Sequence, residues 1–143
     1  MTPGNWNPGK QGIAAAHRSA IADTPTHSVD VDSAHAVTHP NDSRWDYLCR
    51  RADDTYAAVE VHPAKPGEVV SMIAKRQWLV AIVASIPGPL ATSGQAAISQ
   101  PTAWHWVVPP NSPVTLKKTG KAYRDLVASG IRFPTRRILA GRL

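Results

Sequence analysis

The sequence predicts a single α/β domain, a mixed central β-sheet flanked by helices. Three observations carry that prediction. The 143 residues suit one domain and are too few for two good cores. Hydrophobic residues make up 43% of them, enough for one core and too many for wholesale disorder. Alternating segments come first and close together, and a helical stretch separates the last from the rest, the order of hairpins followed by a crossover.

Taken along the chain, residues 1–9 are rich in Gly, Pro and Asn around Trp6 and read as a loose N-terminal arm. The domain proper is expected over 10–143, with a core over about 10–108 and a basic C-terminal elaboration over 111–143. Residues 10–22 suggest a short alanine-rich helix with Ile13, His17, Ala20 and Ile21 on one stripe, ended by Pro25. Over 27–37, Val29 and Val31 alternate with Asp30 and Asp32, the pattern of a half-buried strand. A turn follows at His39-Pro40-Asn41-Asp42-Ser43.

Residues 44–51 alternate again, with Trp45, Tyr47 and Cys49 on one face and Arg44, Asp46, Leu48 and Arg50 on the other. Ala52-Asp53-Asp54-Thr55 suits a hairpin turn. Residues 56–62 form its return strand, with Ala57, Val59 and Val61 opposite Tyr56, Ala58, Glu60 and His62. Pro66 and Gly67 open the main helix, 67–85, with Glu68 well placed against the positive end of the helix dipole. Val69, Val70, Ile73, Leu79, Val80, Ile82 and Val83 cover more than one stripe, which predicts a second half buried on most sides.

Pro87-Gly88-Pro89 stops that helix, and 87–101 reads as a loop. Trp104 to Val108 is the fourth strand, closed by Pro109-Pro110. Its two tryptophans suit core or rim packing, or a base-stacking platform. A last helix over 117–129 is anchored by Tyr123, Leu126 and Val127 and ended by Gly130. Residues 131–139 are a short strand or extended tail interrupted by Pro134.

Composition narrows the function classes. Cys49 is the single cysteine, so no internal disulfide is available. With no signal-like start, a reducing, cytoplasmic setting is expected. The longest apolar-rich stretch, 69–86, is broken by Ser71, Lys75, Arg76, Gln77 and Ser85, which argues against a membrane span. The net charge is +6, and its placement matters more than its size. Eight of the 16 Lys and Arg residues lie between 116 and 143 beside one acid, Asp125, whereas nine of the ten acids lie between Asp23 and Glu68. Acids could hold a metal and bases could hold phosphates. Lys117, Lys118, Lys121, Arg124, Arg136 and Arg137 are the candidate nucleic-acid contacts. A solvated basic surface without a partner is the other reading.

The chemistry centres on the hairpin. Glu60 and His62 are two residues apart on a strand, so their side chains share a face. Burying a carboxylate and an imidazole without partners would be costly. A turn centred on Asp53-Asp54 pairs Asp46 with about Val61, beside both. Two carboxylates can hold Mg²⁺ or Mn²⁺ and leave room for water and phosphate. The same residues could also form ordinary ion pairs on a solvated sheet, Glu60 and His62 with Arg44 or Arg50. Asp30 and Asp32 could add to the site or line a wet face. His35, His39 and His62 match no compact zinc spacing. Lys75 could equally be a solvated lysine, and Cys49 reads as buried and inert.

Asp46, then Glu60-Val61-His62 after a hairpin, then a helix, resembles the core of the PD-(D/E)XK, or restriction-endonuclease-like, nuclease superfamily. The resemblance covers about residues 10–108 and includes the order helix, three strands, helix, strand. It implies Asp46 and Glu60 as metal ligands for Mg²⁺ or Mn²⁺. It also implies phosphodiester hydrolysis on DNA more than RNA, and a homodimer where both strands of a duplex are cut. His62 stands where the family has a lysine, and no proline precedes Asp46. The resemblance then implies that the cation is His62 itself or is supplied from the neighbouring helix by Lys75 or Arg76. An inactive relative that binds nucleic acid or a protein through the same sheet is the alternative.

Overall fold

The structure is a computed structural model that describes residues 1–90 and 97–143. Part of the predicted 87–101 loop therefore lies outside the described residues. Five strands form one mixed sheet in sequential order: β1 (Asn7–Pro8), β2 (His27–Asp30), β3 (Tyr47–Arg50), β4 (Tyr56–Val61) and β5 (Ala103–Val107). The first four pair antiparallel, and β5 lies parallel to β4. A parallel neighbour needs a crossover, and the helix α2 (Glu68–Ile82) supplies it. Two further α-helices among the described residues are α1 (Val31–His35) and α3 (Gly120–Ser129). The expected single α/β domain with a mixed sheet flanked by helices is thus observed.

Both faces of the sheet are covered, which is why β4 reads buried at five successive residues. One face carries Leu48, Ala58, Trp104 and Trp106 against Val69, Met72 and Leu79 of α2 and Leu126 of α3. The other carries Tyr47, Cys49, Ala57, Val59 and Val107 against Ile13, Ile21 and Ile138. Each fully buried Leu, Ile or Met side chain contributes about 1.5–3 kcal/mol of transfer free energy. The β3–β4 turn is closed by Asp54 at φ 66°, a left-handed conformation that a short polar side chain tolerates. Gly130 ends α3 at φ 81°, as its position predicted.

Several elements differ from expectation. The 1–9 segment is tied down: Trp6 is buried and its Nε1 donates to the Pro87 carbonyl at 2.8 Å, while Asn7–Pro8 pairs with β2. Residues 15–20 form 3-10 turns instead of an α-helix. The 27–37 strand stops at Asp30, because the Asp30 carboxylate caps a helix by accepting from Ser33 N at 2.8 Å. Val31 N and Asp32 N then donate to the Asp46 carbonyl. Residues 44–46 consequently lie outside β3, and Trp45 packs with Leu48 and not with Tyr47 and Cys49. The second half of α2 is also less buried than predicted, since Gln77 and Ala81 are exposed and only Leu79 is fully covered. Residues beyond 108 belong to the core: Leu116, Leu126, Ile131 and Ile138 are all buried. The 131–138 segment runs parallel beside β5, with bridges Trp104↔Ile131 and Val107↔Thr135.

Candidate functional site

The β3–β4 register pairs Tyr47 with Val59, so continuing it by one residue sets Asp46 opposite Glu60. This is one position from the expected pairing with Val61, and it brings the two residues closer than the sequence implied. Asp46 N donates to Glu60 Oε2 at 2.8 Å, and Asp46 Oδ2 accepts from Val61 N at 3.0 Å. Each acid side chain thus bonds the backbone of the opposite strand.

Helix α2 crosses the same face and delivers Lys75, whose Nζ donates to Glu60 Oε1. The adjacent residue, Arg76, turns away: its guanidinium lies 4.7 Å from the Trp104 ring centroid. Of the two cations that α2 could offer, the fold selects Lys75. His62 Nε2 donates to Glu68 Oε2 at 2.7 Å, and its Nδ1 lies 3.8 Å from Glu60 Oε1. Trp106 Nε1 donates to the His62 carbonyl at 2.8 Å, fixing the strand end. Glu68 was read only as a helix-dipole residue. Its role as the partner of His62 follows from the angle at which α2 leaves β4, for which the spacing carries no signal.

The electrostatics follow from burial. Glu60 is fully buried, and desolvation together with the Asp46 charge pushes its carboxyl up to about 8, against the opposing pull of Lys75. Asp46 is also raised, first by desolvation, although the Val61 N–H and Lys75 act the other way. Burial raises both acids, and the Asp46 charge raises Glu60 further, so a cation reaching the pair would favour their ionised forms.

Other predicted residues go elsewhere. Asp30 caps α1, and Asp32 pairs with Arg44 at 2.7 Å, so neither joins Asp46 and Glu60 as a donor. His35 and His39 gather around Trp78, with ring centroids 5.4 and 6.1 Å from it, and not around His62. Cys49 is buried, and burial pushes its thiol up to about 12, which leaves it inert as expected. Among the basic residues, Lys121 pairs with Asp125 at 2.6 Å and Lys118 lies over the Phe133 ring. Arg136 donates to the carbonyls of Pro109, Pro110 and Ser112, which straps the loop after β5. Lys117, Arg124 and Arg137 are exposed.

Among the described residues, no group of three or more His, Cys, Asp and Glu side chains is placed to hold a metal ion. A zinc or calcium cage built from protein side chains would need such a group. Mg²⁺ asks for less, because it keeps several waters and uses one or two carboxylates. Asp46 and Glu60 supply that number of carboxylates, with both Glu60 oxygens already accepting N–H donors. Among the described residues no helix is long and apolar enough to cross a membrane. No protein-family model, no curated protein and no solved structure matches this chain.

Proposed function

We propose that this domain is a divalent-metal-dependent phosphodiesterase of the restriction-endonuclease-like type, acting on nucleic acid and on DNA before RNA. The observation that carries this reading is the meeting of Asp46, Glu60 and Lys75, brought from three separate elements to one end of the β3–β4 hairpin. Two carboxylates and a lysine are the functional groups that hydrolysis of a phosphodiester needs. The lysine comes from α2 and not from the position two after Glu60, where His62 stands. The element order from residue 15 to Val107 supports the same reading: a helical turn, three antiparallel strands with the short α1 inserted between the first two, a helix and a parallel strand.

Asp46 and Glu60 would hold a Mg²⁺ or Mn²⁺ ion. When bound, such an ion offsets phosphate charge and makes a neighbouring water more acidic. Lys75, already at Glu60, would pull against the burial that raises that carboxyl and set a positive charge beside the scissile phosphate. His62, held by Glu68, would orient a water by donating a hydrogen bond. The exposed Lys117, Lys118, Lys121, Arg124 and Arg137 would contact the phosphate backbone and add salt-sensitive affinity.

A second reading has its own observation. Glu60 keeps only about 1% of its side chain exposed, and both its oxygens already accept N–H donors. An internally satisfied acid of this kind suits an inactive relative in which the same residues lock the hairpin to α2, and the protein binds nucleic acid or a partner without cutting. Calorimetric titration with Mg²⁺ and Mn²⁺, alongside cleavage assays on single-stranded, duplex and branched DNA, separates the two. Metal uptake and cleavage lost together in Glu60→Gln support the enzyme. Wild-type protein that neither takes up metal nor cuts leaves the binding module.

A further inference from the structure

The face of the sheet opposite Glu60 holds a second cluster that the proposed chemistry does not use. A cavity of about 200 Å³ opens between β5 and the 131–142 segment. Its lining includes His105, Arg132, Arg137, Arg142 and the Thr135 side of the tail. His105 pairs in register with Val59, which puts it on the face away from α2.

Two features of this cavity point to a ligand. The first is charge. Three arginines line the cavity, no carboxylate does, and none of the three takes part in an ion pair among the described residues. Arg132 spends one N–H on the Arg142 carbonyl at 2.9 Å, which draws the two arginines to the same rim and leaves most of its donors unused. The second feature is His105. It is only 3% exposed, and its Nε2 is buried without a hydrogen-bond partner. A buried, unpaired ring nitrogen costs about 1–3 kcal/mol of desolvation, which a ligand met by a small turn of the ring toward the cavity would offset.

We infer that this cavity binds a phosphate monoester, with His105 and the guanidinium groups of Arg132, Arg137 and Arg142 as its contacts. A dianion suits three guanidiniums, whose planar forks match phosphate oxygens and are more weakly hydrated than ammonium groups. Desolvation, and after it the Arg132 and Arg51 charges, push His105 down to about 4, the direction a site short of negative charge produces. The phosphate could be free or could end a nucleic-acid strand. Since the cavity lies across the sheet from Asp46 and Glu60, its occupancy does not depend on cleavage.

The test follows the imidazole signals of His105 by NMR in the full chain, titrated with inorganic phosphate. A terminally phosphorylated oligonucleotide and its unphosphorylated twin are titrated in parallel. Saturable movement of the His105 signals with phosphate is expected. Arg132→Gln with Arg142→Gln, both at exposed positions, should weaken binding by about tenfold or more, the loss of charged hydrogen bonds. If the phosphorylated oligonucleotide binds more tightly than its twin, the ligand is a strand terminus. If the two bind alike while phosphate still moves His105, the ligand is a free phosphate compound. His105 signals that stay still with phosphate, or undiminished binding in the folded double variant, would overturn the inference.

Discussion

Replacing Glu60 by Gln tests the electrostatics of the candidate site without relying on any activity. Glu60 is fully buried, and its carboxyl is raised from 4.5 to about 8 by burial and by Asp46. A folded-state value above the unfolded one means that the native protein binds the proton more tightly. That contribution is complete below the unfolded value and is lost as pH rises through the folded value. Between pH 5 and pH 8 the unfolded chain is ionised while the native chain still resists ionisation. Wild-type stability should therefore fall relative to the Glu60→Gln variant by on the order of 3 kcal/mol over that window. The variant also loses one acceptor: its amide cannot serve both Asp46 N and Lys75 Nζ, at a cost of about 1.5–3 kcal/mol for the charged bond. The pH-dependent part of that bond is already contained in the raised value of Glu60, so the informative quantity is the difference between the two pH values. Urea unfolding of both proteins at pH 5 and pH 8 measures it. Glu60→Gln should look destabilising or neutral at pH 5 and stabilising at pH 8. A stability difference that does not change with pH would mean that Glu60 is ionised throughout and paired with Lys75, and the burial argument would fail.

The other perturbations follow from the same geometry. Lys75→Ala should abolish metal-dependent cleavage, whereas His62→Lys should retain it, because Lys75 and not His62 reaches Glu60; the reverse pattern in a plasmid-cleavage assay refutes that assignment. Replacing Lys117, Lys118 and Lys121 by Ala should flatten the slope of log K against log salt for duplex DNA by about one unit per phosphate contact removed, and an unchanged slope places the DNA elsewhere. Gly12 approaches the Ser28 carbonyl so closely that a Cβ would collide with it, so Gly12→Ala should cost about 1–3 kcal/mol in chemical denaturation, and a neutral result refutes the contact.

Much of this domain is written locally. Alternation over 47–50 and 56–61 identifies the hairpin, because period-two patterning decides which side chains share a face. Pro66-Gly67 and Pro87-Gly88-Pro89 bracket α2, and Gly130 ends α3, because proline and glycine act on their own backbone whatever surrounds them. The approach of Asp46 to Glu60 was legible for the same reason, to within one residue of register. Tertiary structure decided what short-range pattern leaves open. The 27–37 alternation ends at Asp30 because a cap and the Asp46 carbonyl recruit the next residues into a helix. Trp6 looked free because its partner, the Pro87 carbonyl, lies 81 residues away. Lys75 prevails over Arg76 at Glu60 through the rotation of α2 on the sheet, since adjacent helical residues point about 100° apart and only packing fixes which one faces the acids. His105 and its arginines share a cavity only because the 131–138 segment folds back along β5. Contacts between segments far apart in sequence carry no local signature, and those contacts determine which charged groups meet.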